Sequence, residues 1–221
     1  MSDYYQLPMF PLGSVVFPQM VLPLHVFEDR YRQLVEECLA GDGIFGTCLI
    51  ERGSEVGGGD TRSDTGTLMR IVDAQQMPDG RYGIVSVAIG RCEISEWLPD
   101  DPYPLALVAE WPDQIPIEGF NEELNAFVSA LRQFLARAVE MGVDWGPATF
   151  TVPPDATMAT WFLASLVPVG PLDRLEILRT PGPSQRVRLM SRLLDEQFSM
   201  LERQIELFQT GDEADEGPDL P

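Results

Sequence analysis

Residues 22–41 have the sequence LPLHVFEDRYRQLVEECLAG, in which a short apolar segment passes directly into a helical pattern. Residues 21–27 are apolar and rich in β-forming side chains, and Pro23 has no N–H to donate to a neighbouring strand. After this segment the apolar side chains recur at intervals of three and four, which is the spacing of an amphipathic helix. Gly41 is a typical helix-terminating residue. We therefore predict an edge or kinked strand followed by a helix over residues 28–40.

The rest of the first half of the chain is mainly β in pattern. Strands are predicted over residues 7–12, 44–50, 67–77, 81–89, 92–98 and 105–111. The tripeptide Pro78-Asp79-Gly80 predicts a turn between two antiparallel strands, and Gly90 predicts a bulge or bend. Residues 53–66 are rich in Gly, Ser, Thr and Asp and have no apolar face, so we expect a mobile loop there. Several short strands with one inserted helix indicate a small sheet that is closed or strongly coiled.

The pattern becomes helical after residue 119. An apolar stripe predicts a helix over residues 120–139 with Asn121 as its N-cap. Asp155 is a candidate cap for a helix that runs to residue 166, Pro171 suits the first turn of a short third helix, and Ser184 is a candidate cap for the last helix. The apolar stripe of the last helix consists of Val187, Met190, Leu194, Leu201, Ile205 and Phe208. Four helices with short connections predict a bundle, and the residues that follow predict an acidic, disordered tail.

The charge composition excludes several classes of function. The 221 residues include 35 acidic and 15 basic side chains, which gives a formal net charge of −20, and every basic residue is arginine. This charge opposes binding to nucleic-acid phosphates or to an anionic membrane. Without lysine, the chain cannot form a Walker A loop, a Ser–Lys catalytic dyad or a Schiff base. We therefore predict no nucleic-acid partner, no membrane partner and none of these three mechanisms.

Neither the cysteines nor the histidine forms a recognisable catalytic or metal-binding motif. Cys38, Cys48 and Cys92 lack C-x-x-C spacing and no secretion signal is visible, so we expect buried thiols in a cytoplasmic protein. His25 is the single histidine, and it faces either a groove or a hydrogen-bonded interior. A G-x-G-x-x-G pattern at residues 41–46 follows a helix and precedes a strand, which reverses the order of a dinucleotide-binding motif. No catalytic residue, metal ligand or cofactor is predicted.

Two segments of the sequence resemble the start of the Lon protease N-terminal, substrate-binding domain. They are LPMFPLGSVVFP at residues 7–18 and LPLHVFEDRYR at residues 22–32, and weaker similarities follow at residues 66–71, 79–82 and 90–92. The resemblance extends from about residue 7 to residue 208. It implies an α+β fold in which a β-rich, PUA-like pseudo-barrel lobe with one inserted helix precedes a helical bundle lobe. We place the first lobe at residues 1–118, the second at residues 119–210 and the tail at residues 211–221.

The resemblance also implies a function. In Lon, this domain recognises unfolded or tagged polypeptides beside an ATPase module and a Ser–Lys protease module, neither of which a chain without lysine can contain. We expect a stand-alone, cytoplasmic, non-enzymatic module that binds unfolded or extended polypeptides as an adaptor or a chaperone-like protein. A protease or a chaperone is a further candidate partner, and a monomer or weak dimer is expected. The signature segment supplies the candidate peptide-binding residues His25, Phe27, Glu28, Arg30 and Tyr31.

Two alternative functions remain open from the sequence. PUA-like barrels often bind RNA, but a protein of this charge must gather its few arginines into one patch to do so. The other alternative is a small hydrolase with an unrecognised site.

Overall fold

The computed structural model describes the backbone of residues 3–53 and 59–212 and the side chains of residues 3–53 and 59–203. These residues form six strands: β1 (Tyr5–Leu12), β2 (Val21–Val26), β3 (Ile44–Arg52), β4 (Thr61–Gln76), β5 (Tyr82–Leu98) and β6 (Leu105–Glu110). They also form five helices: α1 (Asp29–Ala40), α2 (Phe120–Glu140), α3 (Ala156–Leu166), α4 (Pro171–Arg179) and α5 (Pro183–Asp212). The chain thus has the predicted α+β class. No helix within the described residues is long and apolar enough to cross a lipid bilayer.

The six strands of the described residues form one sheet in the order β2-β5-β4-β3-β1-β6, and β5 also pairs with β6. Strands β5, β4, β3, β1 and β6 therefore form a closed ring, and β2 lies outside the ring against β5. The first half of β5 pairs with β2, and the second half, from Cys92, pairs with β6. A register shift opposite Leu68 and Met69 places a bulge at Ile89, between the two halves. The predictions of a closed sheet and of a bulge near Gly90 are confirmed.

Two prolines fit into β1 because this strand changes partner along its length. Residues 5–8 pair antiparallel with β6, and residues 9–12 pair parallel with β3. Among the described residues, each half of β1 therefore has a paired strand on one side. In the described part of the chain, the other side of each half has no partner strand. A proline whose missing N–H faces that side therefore interrupts no ladder of hydrogen bonds. The strand predicted at residues 7–12 therefore accommodates its two prolines through this change of partner.

Residues 61–66 belong to β4 and not to the mobile loop that we expected over residues 53–66. Ser63 and Thr65 are buried on either side of the exposed Asp64, and the next inward residue, Thr67, is also buried. Ser63 Oγ donates to the Thr65 carbonyl at 2.7 Å, and Thr67 Oγ1 donates to the Val16 carbonyl at 2.6 Å. The composition does not indicate this strand, because its inward positions hold Ser and Thr in place of apolar residues. Their hydroxyl groups can be buried because they form hydrogen bonds within the protein. Residues 54–58 of the expected loop lie outside the described residues.

The helices α1 to α4 occur where the sequence predicts them, with one correction at an N-terminus. Asp155 caps α3 as predicted, because its Oδ1 accepts a hydrogen bond of 2.8 Å from the backbone N–H of Met158. The N-cap of α2 is Gly119 and not Asn121. Gly119 has a φ of 82°, a conformation that glycine adopts without strain. The chain therefore enters α2 through a left-handed glycine conformation. The capping preference of the Asn121 side chain does not indicate this conformation.

The last helix begins two residues earlier than a cap at Ser184 predicts, and it extends further. α5 starts at Pro183, and the Ser184 hydroxyl accepts a hydrogen bond of 3.1 Å from the Ile117 N–H instead of capping the helix. Residues 211 and 212, which we expected in a disordered tail, end α5. Residues 213–221 and the side chains of residues 204–212 lie outside the described part of the chain.

Apolar clusters hold α1 and the later helices on the sheet. One cluster lies among α2, α3, α4 and α5 and also contains Val15, Phe17 and Leu49 from the β-rich part. A second cluster packs α1 against the strands and includes Tyr31. The three cysteines are free and buried, as predicted.

A buried pair of arginines also joins the sheet to the helices. Arg91 of β5 donates to three backbone carbonyls at the C-terminal end of α4. Asp113 Oδ1 lies 2.8 Å from Nη2 of Arg91, with which it forms an ion pair, and accepts a hydrogen bond of 2.7 Å from Arg186 of α5. The side chains of Arg91, Asp113 and Arg186 keep 2%, 7% and 0% of their surface exposed. Burial lowers the pKa of Arg91 and lowers that of Arg186 to about 10. One carboxylate and two guanidinium groups thus fix the helices relative to β5.

Candidate functional site

The five predicted binding residues are divided between the surface and the core. His25 on β2 and Phe27 just after it are exposed, and Phe27 keeps 54% of its surface accessible. Glu28 is the N-cap residue of α1 and forms an ion pair of 3.1 Å with Arg30. Tyr31 is only 4% exposed. The structure therefore places His25 and Phe27 where a ligand can reach them and places Tyr31 in the core.

The surroundings of Tyr31 are those of a packing residue. Its ring stacks on Phe10 with ring centroids 4.1 Å apart, and the Arg30 guanidinium lies 4.4 Å from the centroid of the Tyr31 ring. Burial raises the pKa of the Tyr31 phenol to about 12. The hydroxyl therefore stays protonated at neutral pH, and the side chain packs α1 against β1.

The outer edge of β2 is free among the described residues. β2 pairs antiparallel with β5 along its whole length, and just before it the Met20 carbonyl accepts a hydrogen bond of 2.9 Å from the Ala88 N–H. Because the direction of hydrogen bonding alternates along an antiparallel strand, the backbone groups of Val21, Pro23 and His25 point away from β5. Pro23 has no N–H. The free edge therefore offers three carbonyl acceptors and two N–H donors.

An apolar surface lies beside this free edge. Val21 and Ile89 keep 59% and 44% of their surfaces exposed, Pro23 is exposed, and Val85 and Val87 are half-buried. Val21 lies opposite Val87 and Pro23 opposite Val85, so these four side chains share one face of the sheet, and Ile89 follows them along β5. We call these five residues the apolar face. Exposed apolar patches of this kind mark binding surfaces on globular proteins.

His25 lies at the C-terminal end of the free edge, beside the turn that joins β4 to β5. Its Nε2 atom lies 3.3 Å from Nη1 of Arg81, and the imidazole accepts because a guanidinium has donors only. Arg81 also forms an ion pair of 2.6 Å with Asp79. Gly80 has a φ of 84°, which suits the predicted turn. Of the two environments expected for His25, the hydrogen-bonded interior is therefore wrong, since the residue is exposed.

A groove of about 590 Å³ runs between α1 and this turn. Its lining includes Asp29, Arg32, Gln33, Glu36, Glu37 and Gly80. Glu36 accepts a hydrogen bond of 3.3 Å from the Tyr82 phenol, and Glu37 accepts from the Tyr103 phenol and from Gln33. The hydrogen bonds from Tyr103 and Gln33 lower the pKa of Glu37. Glu37 therefore stays ionised at neutral pH, and the groove presents negative charge.

Sequence reasoning did not identify the apolar face. Residues 84–89 have the sequence IVSVAI, in which Ile84, Ser86 and Ala88 are buried and the intervening residues point outward. A strand that is apolar on both faces is expected to be buried on both faces. The alternation along residues 84–89 therefore shows which side chains share the outer face. It cannot show that no other element covers that face.

A free strand edge beside an exposed apolar face is typical of domains that bind extended polypeptides. Residues 6–196 match the family described as the ATP-dependent protease La (LON) substrate-binding domain. Because this match spans most of the chain, the protein belongs to that family. The resemblance of residues 7–18 and 22–32 to the Lon N-terminal domain is thereby confirmed.

Solved structures of Lon N-terminal domains have the same fold. The Lon N-terminal domain protein from Xanthomonas campestris is 25% identical, with a TM-score of 0.62 and coverage of 85% of this chain and 98% of that chain. The N-terminal domain of Mycobacterium avium complex Lon protease is 17% identical, with a TM-score of 0.61 and coverage of 86% and 98%.

The chain spans about a quarter of the length of the curated Lon proteases that it matches. Lon protease of Trichlorobacter lovleyi is 24% identical over 210 residues, which cover 91% of this chain and 25% of that protein. Lon protease of Desulfosudis oleivorans is 26% identical over 201 residues, which cover 88% and 24%. The similarity is to the substrate-binding domain, a non-catalytic module distinct from the ATPase and protease parts of Lon.

Proposed function

We propose that this protein recognises unfolded or extended polypeptides by adding them as a strand to the free edge of β2. The observation that supports this proposal is the set of backbone donors and acceptors that the described residues leave unpaired on the free edge. Val21 and His25 direct N–H donors away from β5, and Val21, Pro23 and His25 direct carbonyl acceptors the same way. In strand addition, main-chain hydrogen bonds supply affinity and side-chain contacts supply selectivity. The apolar face lies beside the positions that alternate side chains of an added strand would occupy.

The proposal extends to the role and organisation of the chain. Membership of a substrate-binding family supports substrate recognition, and we propose that the protein acts in the cytoplasm as an adaptor or chaperone-like protein, as a monomer or weak dimer. Residues 1–118 would form a PUA-like pseudo-barrel lobe and residues 119–210 a helical bundle lobe, followed by the acidic tail. Of the predicted binding residues, His25 and Phe27 are exposed next to the added strand, and Glu28 and Arg30 orient the start of α1.

Two substitutions of one residue test strand addition. His25→Pro removes an N–H that points away from β5, so the pairing of β2 with β5 keeps its hydrogen bonds. His25→Ala removes the imidazole and its contact with Arg81 but keeps the N–H. We expect His25→Ala to bind a fluorescently labelled, permanently unfolded polypeptide like the wild type. His25→Pro should raise the Kd about threefold to tenfold, the effect of one main-chain hydrogen bond.

The binding is measured by fluorescence anisotropy, and thermal denaturation verifies that both variants are folded. Equal affinities of His25→Pro and His25→Ala would contradict strand addition at β2. Absence of binding by the wild type to several unfolded polypeptides at high micromolar concentration would contradict polypeptide recognition itself.

A second pair of substitutions tests the apolar face. Val21→Ser removes an apolar side chain beside the free edge, and Ile115→Ser removes one that is 88% exposed in the segment before α2. We expect Val21→Ser to weaken binding and Ile115→Ser to leave the Kd unchanged, because only the first lies against an added strand. The same Kd for both variants would show that the apolar face does not contact the polypeptide.

A further inference from the structure

We propose that the polypeptides captured at the free edge of β2 carry lysine or arginine beside their apolar residues, and that these cations bind along one side of α1. The carboxylates that receive them are Glu36, Glu37, Asp42 and Glu110, which we call the acidic track. This inference rests on the proposed function, because it names the class of polypeptide that the free edge selects.

The acidic track begins where the free edge ends. His25, the last residue of β2 with outward backbone groups, contacts Arg81. Arg81 follows Gly80, which lines the groove beside α1 together with Glu36 and Glu37. The Gly80–Arg81 turn therefore connects the C-terminal end of the free edge with this groove.

A second hollow continues the groove along the same helix. It has a volume of about 430 Å³ and is lined by Glu37, Asp42, Glu110 and Tyr5, among others. Glu37 lines both the groove and this hollow. Tyr5 is 38% exposed and adds an aromatic ring, which attracts cations through its face. The groove and the second hollow therefore adjoin at Glu37, and the Gly80–Arg81 turn lies between the groove and the free edge.

Among the described residues, the carboxylates of the acidic track form no ion pair with an arginine, and Arg32, which lines the groove beside Glu36, pairs with Asp29 instead. Ten of the 15 arginines form ion pairs within the described residues, and no carboxylate of the track is a partner in those pairs. Glu36 and Glu37 accept hydrogen bonds from phenols instead, and Asp42 accepts one of 3.0 Å from the Ile44 N–H. These contacts orient the carboxylates without neutralising them. A cation supplied by a bound polypeptide would complete the pairs.

The net charge argues against the other occupants of the free edge. A second copy of this chain would bring another charge of −20 to the interface, and an acidic polypeptide would meet the same repulsion. A cationic segment is instead attracted from a distance, and salt screens this attraction. We therefore assign the edge and the acidic track to a cationic, partly apolar polypeptide.

Three unfolded polypeptides of equal length test this assignment. They share the same apolar residues, and the positions between those residues are lysine in the first, serine in the second and glutamate in the third. We expect the lysine polypeptide to bind the wild type at least about tenfold more tightly than the glutamate polypeptide at low ionic strength. The ratio of the two Kd values should fall as salt is added, with the serine polypeptide between them.

Two double variants with the same change in net charge locate the effect. Glu36→Gln with Glu37→Gln alters the acidic track, and Glu118→Gln with Glu122→Gln alters exposed carboxylates at the start of α2. The first variant should raise the Kd of the lysine polypeptide about threefold to tenfold, the effect of two exposed ion pairs. It should leave the Kd of the serine polypeptide unchanged. The second variant should change neither value.

Each contrary result overturns a different part of the argument. Equal binding of the lysine and glutamate polypeptides would refute the cationic preference and leave strand addition standing. An equal loss of affinity in both double variants would refute the acidic track, since selection would then follow net charge alone. Failure of all three polypeptides to bind the wild type would refute the proposed function itself.

Discussion

Replacing Asp113 with alanine tests the buried joint between the sheet and the helices. Asp113 Oδ1 forms an ion pair of 2.8 Å with Arg91 and accepts a hydrogen bond of 2.7 Å from Arg186, and all three side chains are buried. Asp113→Ala leaves two buried guanidinium charges without an anion. Breaking a buried ion pair by removing one partner costs about 3–5 kcal/mol.

The expected loss is nearer the lower end of that range, because both arginines keep other acceptors. Arg91 still donates to backbone carbonyls, and Arg186 still donates to Thr160 Oγ1 at 2.6 Å. We therefore expect Asp113→Ala to lower the free energy of unfolding by about 3–4 kcal/mol, or Tm by about 6–16 °C for a protein of this length.

Urea denaturation followed by tryptophan fluorescence measures this change. Trp111 and Trp161 report on the joint, because the Arg91 guanidinium lies 4.4 Å from the Trp111 ring and that of Arg186 lies 3.2 Å from the Trp161 ring. The midpoint should fall while the slope of free energy against urea stays unchanged. As a control, Glu123→Ala removes an exposed partner of Arg188 and should cost less than about 1 kcal/mol.

Arg186→Met separates the effect of charge from the effect of packing. It leaves Arg91 and Asp113 as a neutral pair and removes a guanidinium whose Nε is buried without a hydrogen-bond partner. We expect a smaller loss of stability than for Asp113→Ala. A loss of stability in Asp113→Ala no larger than in Glu123→Ala would refute this role of the buried joint, as would a larger loss in Arg186→Met than in Asp113→Ala.

Two further predictions concern the sheet and α1. Gly66→Ala would place a Cβ atom 2.6 Å from the Thr47 carbonyl oxygen and should cost about 1–3 kcal/mol in urea denaturation, whereas Gly90→Ala, whose Cβ would meet Leu68 at 3.9 Å, should be tolerated. Burial raises the pKa of Tyr31 from 10.0 to about 12, so its stabilising effect is complete below pH 10 and is lost as the pH rises to 12. Across that range the wild type should lose stability relative to Tyr31→Phe by up to about 1.4 kcal/mol per pH unit, and equal pH dependence of both proteins would contradict this.

The elements that the sequence predicts well are those whose signals are local. α1 was predicted over residues 28–40 and occupies Asp29–Ala40, and the Asp155 cap and the turn at Gly80 also depend on neighbouring residues alone. The first part of β4 was missed because its evidence is non-local. The Thr67 hydroxyl donates a hydrogen bond to the Val16 carbonyl, and the sequence of β4 alone does not indicate that contact.

The candidate site shows the same division. The signature segment pointed to His25 and Phe27, and both are exposed. Tyr31 belongs to the same segment but lies in the core. The helix α1 begins at Asp29, and Tyr31 is the first residue on its buried face. The apolar face and the free edge depend on which half of β5 pairs with β6, and the bulge at Ile89 separates the two halves. Local sequence patterns contain the residues of the site but not the pairing that exposes them.

Pro23 explains how a free edge can serve a partner without joining two copies of this chain. If two β2 strands paired antiparallel about Pro23, each proline would face a residue that has no N–H to donate. A bound polypeptide with another residue at that position can donate to the Pro23 carbonyl, so it gains a hydrogen bond that a second copy cannot supply. The net charge of −20 adds repulsion between copies. Natural sheets protect their edges with proline and charge, and here these features discriminate against self-association while leaving the donors of Val21 and His25 available to a cationic polypeptide.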